Sequence, residues 1–227
     1  MKKIGIVVAI EINSVLKRFG EPKQKEKIGF FEKYVYKKDG TEFVCVHTGP
    51  GEIAAAAATQ YLISVCGCEL IVNFGIVGGL TDEMKVSKMC VAKRVVHYDY
   101  DTTAIDKDYV KGQYNEYSDA YIPATENLVR LANSINPELK EVTIASGDKF
   151  VASTKQKNSL ASEFGADVCD MESAGVALTC NRNNIPYLIV KCVSDGLENS
   201  KIDYQTNFEA AADKCFETCE KILQIIK

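Results

Sequence analysis

The sequence predicts an α/β fold: a three-layer sandwich with a twisted central mixed β-sheet flanked by helices. Two observations predict it. Short apolar runs rich in Val and Ile recur at 4–10, 43–47, 70–74, 89–97, 142–145 and 187–193, and such runs belong to strands buried on both faces. Segments of helical spacing lie between them, and strands alternating with helices leave a sheet covered on both sides.

The run 4–10 follows Lys2-Lys3 but stops at Glu11 without a small-residue cleavage site, so it reads as a buried first strand and not a signal peptide. An alanine-rich helix is expected over 52–65, where five consecutive alanines precede Tyr61, Leu62 and Val65. The run 70–74 ends at Gly75-Ile76-Val77-Gly78-Gly79, which reads as a glycine loop at the carboxyl end of a strand. Open α/β sheets bind ligands at that edge. The spacing is not G-x-G-x-x-G, so no dinucleotide is expected. The polar stretch 98–121 carries tyrosine at 98, 100, 109, 114, 117 and 121, as functional or interfacial loops do. Helices follow over 127–135, 155–164 and 173–184. The last, 208–226, is the clearest, with Phe208, Ala211, Ala212, Cys215, Phe216, Cys219, Ile222, Leu223 and Ile226 on one face. No repeat or linker interrupts residues 1–227, which read as one domain.

At 227 residues and 46% hydrophobic the chain is long enough to bury a sizeable core. A net charge of −4, with only four arginines among 27 basic residues, excludes the basic surface that nucleic acid or an anionic membrane requires. The nine cysteines sit inside apolar runs or on apolar helix sides, and Cys66-Gly67-Cys68 has no second pair at zinc spacing. They read as packing residues, so no metal, disulfide or cofactor is expected. No run reaches the length of a membrane span, and the expected location is the cytoplasm.

Chemistry concentrates at two strand ends. Asp170-Met171-Glu172-Ser173 follows the apolar Val168-Cys169, and Val193-Ser194-Asp195-Gly196 closes the last strand. Glu172 is an expensive residue to bury without partners, and a ribose 2′,3′-diol offers two hydroxyl donors to one carboxylate. Its alternative role is a first-turn helix acid. Asp195 could cap a turn or hand a proton to a departing nitrogen, a general-acid task that burial favours.

With Ala9-Ile10-Glu11, Gly75–Gly79 and Ser146-Gly147-Asp148-Lys149-Phe150, these motifs resemble the purine nucleoside phosphorylase superfamily over nearly the whole chain. Tyr98–Ala104 with Gly112-Gln113 resembles its 5′-methylthioadenosine/S-adenosylhomocysteine nucleosidase branch. The resemblance implies hydrolysis of the N-glycosidic bond of such purine nucleosides, releasing adenine and a ribose derivative, by a homodimer. It implies that Phe150 stacks on adenine, the Val151 backbone pairs with its edge, and Asp195 beside Ser194 acts at N7. Met171 and Glu172 would hold the ribose, Ile10 would line the sugar pocket, and Tyr109 would reach the partner subunit's 5′-substituent pocket. Three positions depart from the pattern, all around the nucleophile: Asn13 stands for the water-activating glutamate, Ile76 for a serine and Lys191 for an arginine. Asparagine orients water but accepts no proton at neutral pH. Asn13, Glu172 or Lys191 would then position the water, unless Glu11 replaces the base. The alternatives are an enzyme for another purine nucleoside, futalosine among them, and a nucleoside-binding protein without catalysis. Asn73 and Ile76, where phosphorylases carry an arginine and a serine, argue against phosphate.

Overall fold

The computed structural model describes residues 2–226. In order, the chain forms β1 (Lys3–Val8), α1 (Ile12–Phe19), β2 (Gln24–Ile28), β3 (Phe31–Lys38), β4 (Thr41–His47), α2 (Glu52–Ser64), β5 (Leu70–Gly79) and β6 (Met89–His97). It continues through β7 (Ile122–Pro123), α3 (Glu126–Ile135), β8 (Lys140–Ser146), α4 (Thr154–Phe164), β9 (Val168–Asp170), α5 (Ser173–Arg182), β10 (Tyr187–Asp195) and α6 (Ser200–Leu223).

The strands join one mixed sheet. β1 lies parallel between β4 and β5, and β5 is parallel to β10. β10 then pairs antiparallel with β6, which runs parallel to β8, as β8 does to β9. β9 returns antiparallel against the end of β5, with Gly78 opposite Cys169. Five strands therefore close a ring, and β1, β4, β3 and β2 extend from it as an open wing. Closure brings the residues after β9 to the same mouth as the carboxyl ends of β1, β5 and β10.

The buried strands sort their side chains by the two-residue period of the pleat. Leu188, Val190 and Cys192 of β10 enter the core shared with α6, whereas Tyr187, Ile189 and Val193 enter the one shared with α2 and α5. The first core is aromatic, Phe216 lying 4.6 Å from Phe74 and 5.1 Å from Phe19 between ring centroids. The second is mainly valine and isoleucine from the strands, met by Ala55 and Ala58 of α2 and by Ala174 and Ala177 of α5. A Cβ at Gly175 would lie 2.5 Å from the Glu52 carbonyl oxygen, so only glycine lets α5 start against α2.

The layers agree with the sequence expectation, and several boundaries move. Gly75–Gly79 is not a loop: β5 runs on to Gly79 because β10 pairs with it as far as Gly78. α6 begins at Ser200 and not near Phe208, its first turns being polar. α1 and the β2–β3 hairpin were not foreseen. The stretch 98–121 is a run of turns held by Tyr100 stacked on Tyr114 at 4.0 Å. Among the described residues all nine cysteines are unpaired and no His, Cys, Asp and Glu group could hold a metal. No helix among them is long and apolar enough to cross a membrane.

Candidate active site

At the mouth of the ring lies a cavity of about 520 Å³, a size suited to a small organic ligand. Its walls come from four strand ends. Ala9, Ile10 and Glu11 follow β1, and Ile76, Val77 and Gly78 belong to β5. Met171 and Glu172 follow β9, while Ser194 and Asp195 end β10. The loop after β8 adds Phe150 and Val151, and α6 adds Tyr204. Phe150 meets Tyr204 edge-on at 5.3 Å and is 45% exposed, an aromatic face at the rim.

The acid at the inner wall is Glu11, not Asn13. Helix α1 buries Ile12, Val15 and Phe19 at helical spacing, which turns Asn13 outward. Asn13 is exposed and lines a separate cleft of about 160 Å³ with Lys17 and Glu209. Glu11 precedes the first helical turn and is only 4% exposed. Its Oε1 accepts from the Ile76 N–H at 3.2 Å and its Oε2 from the Ile10 N–H at 3.0 Å. A Cβ at Gly75 would lie 2.6 Å from Glu11 Oε1, so a glycine in β5 makes the space for this carboxylate. The position that matches the family's glutamate therefore lies off this cavity, and Glu11, two residues earlier, lines it.

Beside Glu11 stands Glu172, 7% exposed, accepting from the Gly51 N–H at 3.1 Å. Burial pushes its carboxyl up to about 7, against the Lys191 ammonium and with help from Asp170 and Glu11. Lys191 does not line the cavity wall. It lies beneath, its Nζ 2.8 Å from Asp170 Oδ2, so its expected direct contact with substrate is not formed. Burial works against the Asp170 charge, yet Lys191 and the hydroxyls of Ser146 and Ser173 hold that carboxyl below its ordinary range. A second buried acid, Glu52, is pushed up to about 8 by burial and by the Asp170 charge. Ser146 Oγ lies within hydrogen-bond reach of both Glu52 and Asp170. One hydroxyl proton serves one acceptor, so a proton on Glu52 completes the chain Glu52 to Ser146 to Asp170.

The opposite end holds Asp195, 2% exposed. Ser194 Oγ donates to its Oδ1 at 2.9 Å and Lys157 Nζ to its Oδ2 at 2.6 Å. Lys157 is wholly buried on α4 and also donates to the Gly196 carbonyl at 2.7 Å. Sequence reasoning missed Lys157 and Tyr204. A signal for the first existed: Lys157 shares the inward face of α4 with Leu160 and Phe164, where the helical period calls for an apolar residue. Of the expected site residues, Ile10, Ile76, Phe150, Val151, Met171, Glu172, Ser194 and Asp195 come together around the cavity. Asn13, Lys191 and Tyr109 do not; Tyr109 is half-buried in its own turn, its N–H bonded to the Asp106 carbonyl at 3.2 Å.

The profile of the phosphorylase superfamily matches residues 3–224. An aminodeoxyfutalosine nucleosidase of Helicobacter pylori is 32% identical over 99% of this chain and 97% of its own. A 5′-methylthioadenosine/S-adenosylhomocysteine nucleosidase of Shewanella putrefaciens is 30% identical over 74% of each chain. A solved Helicobacter pylori nucleosidase with 5′-methylthioadenosine in its active site superposes with a TM-score of 0.92, 27% identity and 99% coverage of both chains. With a ring-shaped mixed sheet and four acids around one cavity at its mouth, this chain belongs to the phosphorylase superfamily, among its nucleosidases.

Proposed function

We propose that the protein hydrolyses the N-glycosidic bond of 5′-substituted adenine ribonucleosides of the 5′-methylthioadenosine and S-adenosylhomocysteine type, releasing adenine and a ribose derivative. The observation that carries this is one apolar-walled cavity with Glu11 and Glu172 on one side and the Asp195–Lys157 pair on the other.

The chemistry follows from that placement. The purine lies against Phe150 with its edge at the Val151 backbone and N7 at Asp195. Glu172 accepts the ribose hydroxyls. Water beside Glu11 gives up a proton as its oxygen closes on the anomeric carbon, and the departing base takes a proton at N7. The transition state is oxocarbenium-like, so protonating the base and placing an anion near the sugar both act on the slow step. Glu11 and Glu172 together repel a phosphate dianion, which favours water over phosphate.

A second reading, an aminodeoxyfutalosine-type substrate, is favoured by the full-length match to that relative. Both readings share the site chemistry and differ in the 5′-substituent. The homodimer is part of the proposal, supported by the exposed Ile105 and Val110 on the 98–121 segment and by Tyr109 lying off its own cavity. Sedimentation should report about twice the 25.0 kDa chain mass; an active monomer removes Tyr109 from any site.

The deciding assay incubates the protein with 5′-methylthioadenosine, S-adenosylhomocysteine, inosine and aminodeoxyfutalosine, with and without phosphate. Adenine and a free reducing sugar, independent of phosphate, are expected. A sugar phosphate product overturns hydrolysis, and binding without cleavage overturns the enzyme.

A further inference from the structure

Two lysines are almost fully buried among the described residues, Lys191 and Lys157. The first sits under the sugar end of the cavity. The second has no place in the mechanism so far, though it is bonded to the acid at the purine end.

Its position is not explained by packing. Leu160 and Phe164 on the same face of α4 enter an apolar core with Leu80, Val96 and Val151, and a leucine at 157 would extend it. A buried ammonium persists only where partners hold it, and Lys157 has two, Asp195 Oδ2 and the Gly196 carbonyl. Asp195 lines the cavity and Lys157 lies directly behind it. A Cβ at Gly78, a wall residue, would lie 3.1 Å from both Asp195 Oδ2 and Lys157 Nζ, so the wall lacks a side chain where the pair meets the ligand space.

We propose that Lys157 is a positioning residue acting through Asp195: it fixes that carboxylate at the purine end and restores the proton that Asp195 passes to the departing base. This rests on the nucleosidase reading above. The C1′–N9 bond breaks and its electron pair goes to the purine. N7 receives a proton through Asp195, and Lys157 is left as a neutral amine. The water oxygen bonds to C1′ and its proton goes to Glu11, and solvent returns that proton to Lys157 after the base departs. The other titratable groups around the pair do not compete. Burial raises the Cys169 thiol on β9, to about 12, and the Tyr204 phenol on α6. Asp203 on α6 is engaged with the Gly196 N–H at 3.3 Å, and Lys201 stands on the cavity lining.

The test compares wild type, Lys157→Met and Lys157→Arg for kcat, KM and pH profile with 5′-methylthioadenosine. An ammonium yields its proton in the alkaline range and a carboxylic acid far below it. In Lys157→Met the proton must reside on Asp195 itself. We expect kcat lower by roughly 10²-fold, KM nearly unchanged, and the alkaline limb moved to lower pH. Lys157→Arg keeps the charge but does not release its proton, so kcat stays low while KM and Tm stay near wild type. An unmoved alkaline limb in Lys157→Met, or wild-type kcat in Lys157→Arg, overturns the proposal. Should Lys157→Met fail to fold, Lys157→Arg decides. A wild type that cleaves no nucleoside overturns the nucleosidase reading itself, whereas an active wild type with indifferent variants overturns only the role of Lys157.

Discussion

The two ends of the cavity each rest on a buried lysine, yet they are balanced differently. Lys157 faces one carboxylate, Asp195, at 2.6 Å. Lys191 contacts Asp170 at 2.8 Å, with Glu172 and Glu11 also acting on it. Glu52 adds a further acid through Ser146. The purine end is therefore a neutral pair, and the sugar end has more carboxyls than cations. In a buried setting a surplus negative charge is unfavourable, so the surplus acids hold protons. Glu172 rises to about 7 and Glu52 to about 8, while Asp170, nearest the lysine, stays below its ordinary range. The same residue type is thus set to different tasks by how many acids share each cation.

The comparison breaks most visibly if either end loses its proton-handling group. Asp195→Asn keeps the hydrogen-bond shape but transfers no proton, and Glu11→Gln cannot accept one. Each should lower kcat by about 10²–10⁴-fold with nucleoside binding largely retained. Asn13→Ala, outside the cavity, should leave kcat near wild type. Steady-state rates with binding by calorimetry check all three, and a large loss in Asn13→Ala alone would return the positioning of the water to Asn13.

Glu172 sharpens the contrast at intermediate scale. In the proposed reaction its carboxylate accepts ribose hydroxyls, so protonation weakens binding, and kcat/KM should fall as pH drops below about 7. In Glu172→Gln that acid limb should disappear. Losing charged hydrogen bonds of roughly 1.5–3 kcal/mol weakens ribonucleosides by roughly 10- to 150-fold, and 2′-deoxy analogues far less. Equal weakening of both would make Glu172 a structural acid.

The smallest expected effect is on stability. Burial and the Asp170 charge push the Glu52 carboxyl from its ordinary 4.5 up to about 8. The unfolded chain releases this proton first, so the group disfavours the fold increasingly as pH rises from about 4.5 to about 8. Glu52→Gln carries no charge, and its amide can donate to Ser146 Oγ as the protonated acid does. Its Tm advantage should be absent at acid pH and grow by a few degrees toward pH 8. A pH-independent difference would place the Glu52 proton elsewhere.

Most of the fold was legible because burial on both faces leaves runs such as 187–193 without polar interruption. The β2–β3 hairpin was not, because Gln24–Ile28 is an exposed polar edge. The first turns of α6 were hidden for the same reason. At the site, residues fixed by a strand end were legible, Glu172 and Asp195 among them. Residues fixed by rotation were not. Asn13 follows Ile12 by one helical step and so leaves the core, and Glu11 gains the cavity by preceding that helix. Lys157 was missed because a lysine between polar neighbours reads as solvated until its face is counted.

Gly75 and Gly78 in β5 have a consequence for stereochemistry. One makes room for Glu11 and the other lies against Asp195, and the two glycines are three residue steps, about 10 Å, apart along the strand. The two acids thus stand against the same strand at points where it carries no side chain. In the proposed reaction Glu11 activates water and does not itself attack the sugar, which is the inverting division of labour between acid and base. Water then enters opposite the departing purine, and the anomeric carbon inverts: a β-nucleoside gives the α-sugar as its first product, which proton NMR reads before mutarotation erases it.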